Sequence, residues 1–138
     1  MKKYKIGYTT GVFDLFHVGH LNILRKAKEQ CDTLIVGVST DELVQEYKHK
    51  TPVIPFEERA EIVREIKYVD MVVPQLDRNK FGAWEVLNFD AMFVGDDWKG
   101  SHLFSELETR FKEVSVELVY LPYTKGVSST IVKEKMRV

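Results

Sequence analysis

The chain has 138 residues, enough for about one domain with a substantial hydrophobic core, and we expect a single domain over residues 1–138. Twenty Lys and Arg residues nearly balance 21 Asp and Glu residues, and the net charge of −1 excludes a general attraction to nucleic acid or anionic membrane. The single Cys31 excludes an internal disulfide. Without a leader-like segment or an apolar run of about 18 residues, the sequence predicts a soluble, cytoplasmic protein with no stable membrane insertion.

Strand-like and helix-like segments alternate along the chain, starting with a predicted strand at Ile6 to Thr9 and a helix at Leu21 to Gln30. Further strands are predicted at residues 34–38, 71–73, 91–94 and 116–121, and further helices at 57–66, 81–87, 103–111 and 128–136. This alternation predicts an α/β fold, an open parallel sheet of about five strands with helices on both faces. In such a sheet ligands bind at the carboxyl ends of the strands.

The first polar motif, Gly11-Val12-Phe13-Asp14 followed by His17-Val18-Gly19-His20, comes directly after the first predicted strand. If Val18 begins a helix, His17 and His20 share one face of its first turn, beside free backbone N–H groups that attract phosphate. A glycine between two histidines costs helix propensity unless something must approach the backbone closely. The motif therefore predicts a phosphate site with two imidazole donors.

Two other interpretations of this histidine pair exist. His17 and His20 could cap the helix at the surface, or they could bind zinc. A tetrahedral zinc site needs further ligands, and His49 and His102 lie in loop-like segments without ligand spacing. The context of a strand-to-helix turn favours phosphate binding over both alternatives.

Polar motifs also follow the second, fourth and fifth predicted strands, at Ser39-Thr40-Asp41, at residues 95–98 and at residues 124–130. Within the last of these, Gly126-Val127-Ser128-Ser129-Thr130 combines a flexible glycine with hydroxyl groups at a helix start, which is typical of a second anion site. A plain helix cap would need only one of those hydroxyls. The polar connection from Lys48 to Pro55 is predicted to lie over the site.

Taken together, these motifs resemble a known family. The segments 11–14 and 17–20 resemble the nucleotidyltransferase superfamily with the HxGH motif. Gly95-Asp96-Asp97-Trp98-Lys99-Gly100 is similar to the GDDWxG segment of bacterial glycerol-3-phosphate cytidylyltransferases, and residues 126–130 are similar to their RTxGISTT motif. Segments 39–42, 58–59 and 68–70 extend the resemblance over almost the whole chain. HxGH alone also fits adenylyltransferases and class I tRNA synthetases, and the GDDW segment favours a cytidylyltransferase.

The resemblance implies a Rossmann-like nucleotidyltransferase fold and a reaction of CTP with glycerol 3-phosphate that yields CDP-glycerol and pyrophosphate. The substrate phosphate would attack the α-phosphorus in line, without a covalent enzyme intermediate. Mg²⁺, or another divalent cation carried by CTP, is the implied cofactor, with no metal bound by the protein itself. The implied partners are CTP, a small phosphorylated alcohol and a second copy in a homodimer, with no nucleic acid. CDP-glycerol would serve cell-envelope polymer synthesis, such as that of teichoic acid.

The resemblance also implies three groups of site residues, carried over position by position. The catalytic group comprises His17, His20, Lys50 and Arg59. The nucleotide-binding group comprises Val12, Phe13, His17, Gly19, His20, Lys50, Gly95, Asp97, Tyr123, Thr124, Val127, Ser128, Ser129 and Thr130. The substrate-binding group comprises Asp14, Lys48, Lys80 and Trp98.

Several of these residues also have a structural interpretation. Asp14 could cap its own turn, and Lys48 and Lys50 could be ordinary surface lysines. The carboxylates of residues 96 and 97 could order Arg59 or meet Mg²⁺ on the nucleotide, or they could only shape a turn. Trp98 could pack in the core or form a wall of the site.

Two positions depart from the family pattern. The arginine that begins RTxGISTT is Tyr123 here, with Lys125 two residues on, and the arginine before Tyr68-Val69-Asp70 is Lys67. Lysine keeps the charge but not the bidentate fork of arginine. Cytidylyl or adenylyl transfer to another phosphorylated alcohol or sugar therefore remains an alternative. A catalytically silent nucleotide-binding module is a second alternative, although binding alone would not need both His17 and His20.

Overall fold

The computed structural model describes residues 2–122 and 124–136, with Trp98 described by its backbone only. Five parallel strands form one sheet in the order β3-β2-β1-β4-β5, namely β1 (Tyr4–Gly11), β2 (Cys31–Ser39), β3 (Met71–Gln75), β4 (Ala91–Gly95) and β5 (Glu117–Leu121). The helices are α1 (Val18–Gln30), α2 (Asp41–Lys48), α3 (Phe56–Arg64), α4 (Lys80–Leu87), α5 (His102–Glu113) and α6 (Ser129–Lys135). The predicted α/β fold with a parallel sheet is confirmed. Among the described helices, none is long and apolar enough to cross a membrane.

The strand order places the site. Strand β1 lies at the centre of the sheet and pairs with β2 on one side and with β4 on the other. The chain winds outward from β1 to β2 and β3, and then returns to the other side for β4 and β5. The order of the strands reverses between β1 and β4, and in open parallel sheets the ligand crevice lies at the carboxyl ends of the strands at this reversal.

Each face of the sheet is covered by its own hydrophobic cluster, because successive strand residues point to opposite faces. In β4, Phe93 packs in the cluster that contains Leu24 of α1 and Val63 of α3. Its neighbour Met92 packs on the opposite face, in the cluster that contains Phe111 of α5. The helices therefore cover both faces, and the rim at the carboxyl ends of the strands is left for polar residues.

The sequence prediction missed one helix. Residues 41–48 were not assigned to an element, yet they form α2, with the Oγ1 of Thr40 accepting the backbone N–H of Leu43 at the N-cap. Asp41 and Glu42 lie in the first turn and Lys48 in the last, as the helix dipole favours. Lys48 therefore ends a helix, and the irregular connection begins after it. The hypothesis that Val18 begins α1 is confirmed.

Candidate active site

A cleft of about 830 Å³ opens at the carboxyl ends of the strands, where the strand order reverses. Its wall brings together most of the residues that the sequence predicts for the site. These are Val12, Phe13, His17, Gly19, His20, Lys48, Lys80, Gly95, Asp97, Thr124, Val127, Ser128 and Ser129. Residues from widely separated motifs therefore meet in one place, because these motifs follow a strand or begin a helix at this rim, except Lys48 at the end of α2.

The remaining predicted residues are placed differently. Asp14, Lys50, Arg59 and Thr130 do not belong to the described wall of the cleft. Lys50 lines a small neighbouring recess with Asp14, and Thr130 is exposed on α6. Tyr123 lies outside the described residues, and so does the side chain of Trp98. Their predicted roles remain predictions.

The turn between β1 and α1 is tight and holds an unusual backbone. Phe13 and Leu15 have φ angles of 55° and 51°, in the left-handed region that non-glycine residues seldom adopt. The buried ring of Phe13 packs against the ring of His20, with centroids 5.3 Å apart. Such strain persists only where surrounding contacts over-determine the conformation, as they do at many functional sites. The turn brings the chain abruptly from the centre of the sheet to the N-terminus of α1.

The two histidines form a reciprocal capping box at that N-terminus. His17 is the N-cap residue, and its Nδ1 accepts the backbone N–H of Gly19 at 3.1 Å. In return, the Nδ1 of His20 accepts the backbone N–H of His17 at 3.2 Å. The two rings stack with centroids 3.9 Å apart. The capping alternative considered for this pair is thus part of the structure, and it leaves the Nε2 edge of each ring available.

This arrangement fixes the tautomer of both rings. A backbone N–H can only donate, so both Nδ1 atoms are acceptors, and each neutral imidazole carries its proton on Nε2. Burial lowers the pKa of His17, and burial together with His17 lowers the pKa of His20 to about 4 against the opposing effect of Asp14. The Nε2 of His17 is buried and has no hydrogen-bond partner among the described residues. Near neutral pH both rings are therefore neutral with the proton on Nε2, and both residues line the cleft.

The glycine between the histidines is needed for packing. A Cβ at Gly19 would lie 2.9 Å from the Cε1 of His17 and 3.2 Å from the Cγ1 of Val127. Any side chain there would push the His17 ring out of the capping box and the segment before α6 away from α1. The sequence predicts close approach of a ligand to this glycine. In the structure, packing against His17 and Val127 is a second reason for it.

Arg59 is enclosed by protein. Its Nε donates to the carbonyl oxygen of Ile54 at 2.7 Å, and its guanidinium donates to the carbonyl oxygens of Val12 at 2.7 Å and Ser39 at 2.8 Å. The same group forms an ion pair with Asp41 at 2.5 Å, and the Arg59 side chain is 0% exposed. The carboxylate that orders Arg59 thus comes from α2, whereas the sequence argument proposed residue 96 or 97. We call Arg59 with these four partners the Arg59 clamp.

Asp14 performs a related task beside the clamp. Its two carboxylate oxygens accept the backbone N–H groups of Val53 at 2.8 Å and Ile54 at 3.0 Å. The connection predicted to lie over the site is therefore anchored to the β1–α1 turn through these two amides. The backbone oxygen of Asp14 accepts the hydroxyl of Ser129 at 2.8 Å, which also docks the start of α6 onto the same turn.

The hydroxyl groups of the second motif have separate tasks. Ser128 is the N-cap of α6, and its Oγ accepts the backbone N–H of Ile131 at 3.1 Å. The Oγ1 of Thr124 accepts the side-chain amide of Asn22 at 2.9 Å, which ties this motif to α1. Two of the three hydroxyls at residues 128–130 thus serve the fold, because Ser129 is bound to the β1–α1 turn. Their backbone and side-chain atoms still line the cleft.

The cleft is more basic than the chain as a whole. Its described wall contains four cationic side chains and two acidic ones, namely Lys48, Arg78, Lys80 and Arg110 against Asp97 and Glu106. Burial, and then the charge of Arg78, lower the pKa of Lys80 to about 8 despite the opposing charge of Asp77. The net charge of −1 therefore hides a local positive excess that favours anionic ligands.

Sequence reasoning missed the two arginines of this wall. The guanidinium carbon of Arg110 lies 4.0 Å from the centroid of the Phe81 ring, and that of Arg78 lies 4.8 Å from the centroid of the Tyr47 ring. Arg78 lies three residues after the end of β3, so the rule that ligands lie at the carboxyl ends of strands indicates it as a candidate. Arg110 lies in the last turn of α5, away from any strand end or helix start, so no comparable pattern in the sequence indicates it.

Comparisons with known proteins agree with this geometry. The family model described as cytidylyltransferase-like matches residues 8–135. A glycerol-3-phosphate cytidylyltransferase of Staphylococcus aureus is 37% identical over 129 residues, which cover 93% of this chain and 92% of that protein. The enzyme of the same name from Bacillus spizizenii is 40% identical, over 93% of this chain and 94% of that protein. The crystal structure of a lipopolysaccharide core biosynthesis protein from Thermoplasma volcanium shares the fold, with a TM-score of 0.73, 23% identity, and coverage of 90% of this chain and 99% of that one.

Proposed function

This chain belongs to the cytidylyltransferase-like family, and from that premise we propose that it transfers the cytidylyl group of CTP to glycerol 3-phosphate. The products are CDP-glycerol and pyrophosphate. The chain is a nucleotidyltransferase, and its similarity to glycerol-3-phosphate cytidylyltransferases extends over nearly its whole length. This similarity supports both CTP as the donor and glycerol 3-phosphate as the acceptor.

One observation carries the chemical part of the proposal. The Nδ1 atoms of His17 and His20 accept backbone N–H groups, so each of these cleft-lining rings carries an Nε2–H donor at the start of α1 that is not used within the described structure. No acidic residue lies in the first turn of α1, which leaves its positive end uncompensated. Neutral donors beside a helix N-terminus suit a phosphoryl group whose negative charge grows in the transition state.

The reaction needs positioning more than proton transfer. An oxygen of the acceptor phosphate is already anionic near neutral pH and forms the new bond to the α-phosphorus of CTP. The bond from that phosphorus to the oxygen bridging to the β-phosphorus breaks, and pyrophosphate leaves with the electron pair. His17 and His20 donate hydrogen bonds to the phosphoryl oxygens as charge develops on them. No covalent enzyme intermediate is needed.

We place the phosphate of the acceptor beside Lys80, one of the cationic residues of the cleft wall. Lys80 is the first residue of α4. Its ammonium group is largely buried, and its pKa is lowered to about 8. An anion beside Lys80 restores the stability of the charged ammonium group, which is how a buried lysine comes to favour a phosphate. Asp14 and Lys48 remain proposed substrate contacts, although the Asp14 carboxylate already accepts two backbone N–H groups.

We propose that Mg²⁺, or another divalent cation, enters on the phosphate oxygens of CTP. Among the described residues, no group of three or more His, Cys, Asp or Glu side chains is placed to hold a metal ion. Asp97, which lines the cleft, is our candidate for an outer contact. A cation on the phosphates supplies charge neutralisation during the transfer. The same family resemblance supports a homodimer, a cytoplasmic location and a role in cell-envelope polymer synthesis such as that of teichoic acid.

A pyrophosphate-release assay tests the proposed function. CTP and ATP are each combined, in the presence of Mg²⁺, with glycerol 3-phosphate, phosphocholine, phosphoethanolamine or a sugar phosphate. We expect the highest kcat/KM for CTP with glycerol 3-phosphate and no burst of a covalent intermediate. The His17→Asn variant serves as the matched inactive control against contaminating enzymes, because asparagine preserves a helix N-cap.

Two other outcomes of this assay would change the proposed function. A different preferred acceptor, or a preference for ATP, replaces the substrate assignment and leaves nucleotidyl transfer intact. Turnover of none of the pairs, with CTP still bound, identifies a catalytically silent nucleotide-binding module and overturns the proposal.

A further inference from the structure

Three lysines from different elements converge beside the cleft. Lys48 at the end of α2, Lys50 just after it and Lys133 on α6 line a recess of about 60 Å³. We call these three residues the lysine cluster. The recess is continuous with the cleft, since Val12, Lys48 and Ser129 line both. A ligand that lies in the cleft beside Val12 and Ser129 can therefore extend into the recess.

The charges of the lysine cluster are not compensated by the protein. Among the described residues, none of the three ammonium groups forms an ion pair or a hydrogen bond with a carboxylate. Asp14 lines the same recess, but its carboxylate oxygens accept backbone N–H groups. Burial, and then the charges of Lys50 and Lys133, lower the pKa of Lys48. Like charges gathered in this way repel one another unless a polyanion lies between them.

The helix α6 fixes the position of Lys133. Ser129, four residues earlier, hydrogen-bonds to the backbone oxygen of Asp14 at 2.8 Å and so docks the start of α6 onto the β1–α1 turn. Residues four apart lie on the same face of a helix, one turn from each other. Lys133 therefore faces the recess through a rigid link to the turn that carries His17. Lys135, two residues on, is exposed and does not line the recess.

We propose that Lys133 joins Lys50, which the resemblance already assigns to the nucleotide, in binding the terminal phosphates of the nucleoside triphosphate and the pyrophosphate that leaves. Lys48 lines both cavities and lies between this group and the acceptor. This inference rests on the proposed function. In the proposed function, His17 and His20 donate hydrogen bonds to the phosphoryl group under attack, and Lys80 contacts the acceptor phosphate. Arg78 and Arg110 line the cleft but not the recess, whereas the lysine cluster adjoins Val12 of the β1–α1 turn and Ser129 of α6. We therefore place the rest of the triphosphate at the lysine cluster. Charge-assisted hydrogen bonds from the ammonium groups of Lys50 and Lys133 suit a pyrophosphate group with several anionic oxygens.

Binding of inorganic pyrophosphate, measured by calorimetry without nucleotide or acceptor, tests this inference. Lys133→Met is expected to weaken pyrophosphate binding about tenfold, because it removes one charge-assisted contact. Lys133→Arg restores the cation and is expected to bind within a few-fold of the unmodified protein. Lys135→Met is the matched control, with the same change of charge on the same helix, and is expected to leave binding unchanged. Thermal unfolding of each variant confirms that it is folded.

Steady-state kinetics provide a second readout. Lys133→Met is expected to raise the KM for the nucleoside triphosphate and to leave the KM for the acceptor unchanged. The inference is overturned if Lys133→Met binds pyrophosphate as the unmodified protein does, if Lys135→Met weakens binding equally, or if only the KM for the acceptor rises. Pyrophosphate binding requires neither cytosine nor acceptor, so a failure of the proposed substrates leaves this result intact.

Discussion

The capping pair of His17 and His20 lies at the β1–α1 turn, and the Arg59 clamp contacts the same turn through Val12, but the two use their polar atoms in opposite ways. Each histidine gives one nitrogen to a backbone N–H within its own helix turn and keeps the other for the cleft. Arg59 donates to three carbonyl oxygens and one carboxylate, and no part of its side chain is exposed. The difference shows that function depends on the polar atoms that the fold leaves unpaired, and that residue type alone does not decide it.

Arg59 joins four parts of the chain that build the rim of the cleft. Its partners are the β1–α1 turn at Val12, the end of β2 at Ser39, the start of α2 at Asp41 and the connection at Ile54. The resemblance implied a catalytic role for this arginine. In the structure its guanidinium contacts only protein groups among the described residues, which favours a positioning role, and its variants distinguish the two roles.

The largest effect is expected from Arg59→Met. Removing the cation leaves the carboxylate of Asp41 and three carbonyl oxygens without their donor, and breaking a buried ion pair of this kind costs about 3–5 kcal/mol of unfolding free energy. Urea unfolding measures this loss. The control is Arg64→Met on the same helix, whose exposed pair with Glu61 at 3.8 Å should contribute less than about 0.5 kcal/mol. An Arg59→Met protein as stable as the unmodified one, but inactive, would show that the guanidinium acts on substrate.

The next largest effect is expected from His17→Asn. Asparagine preserves the N-cap acceptor but has no Nε2–H, so the unfolding free energy should stay nearly constant while kcat falls roughly 10²–10³-fold. His17→Ala should show the same loss of kcat and a further loss of roughly 1 kcal/mol of stability, because the cap is gone. His102→Asn on the exposed start of α5 is the control. Unchanged turnover in His17→Asn would place the donor elsewhere.

The smallest effect is a pH dependence of stability caused by His20. Its pKa is lowered from 6.5 to about 4 in the folded protein, so the unfolded chain binds the extra proton first as the pH falls. The stability contributed by the neutral ring is complete above pH 6.5 and is lost on acidification toward pH 4, by roughly 2 kcal/mol at pH 5. Urea unfolding at pH 7 and at pH 5 measures this loss.

His20→Gln is the matched variant for that measurement. Glutamine at the third helical position also reaches back to the N-cap N–H, as in an ordinary capping box, but it does not titrate. The loss of stability between pH 7 and pH 5 should therefore shrink in this variant. Equal losses in both proteins would assign the acid sensitivity to other groups.

The predictability of each part of the site follows from the distance over which its contacts act. The helix start at Val18 and the roles of its flanking histidines depend on residues two or three positions away, so the local pattern indicates them. The α2 helix carried a comparable local signal in the N-cap Thr40 followed by two acidic residues, and it was missed because that segment was interpreted only as a loop motif. Arg78 was missed in the same way, as a basic residue three positions after the end of a strand.

Other assignments depended on contacts that no local pattern contains. Arg59 pairs with Asp41, 18 positions away, and donates to Val12, 47 positions away. Lys133 approaches Lys48 and Lys50 only because α6 docks on the β1–α1 turn. Nothing in the spacing of these residues distinguishes a buried clamp from an exposed cation.

The sequence by itself determined the α/β fold, the place of the histidines at a strand-to-helix turn and the family, because periodicity and short motifs act over a few residues. Only the tertiary structure decided which polar groups remain free once the chain is packed. A buried donor must be paired, and the partners of Arg59 and Asp14 come from distant segments. The charges of Arg59 and Asp14 are paired within the protein. The Nε2 atoms of His17 and His20, and the ammonium groups of the lysine cluster, are the polar groups that we propose bind phosphate.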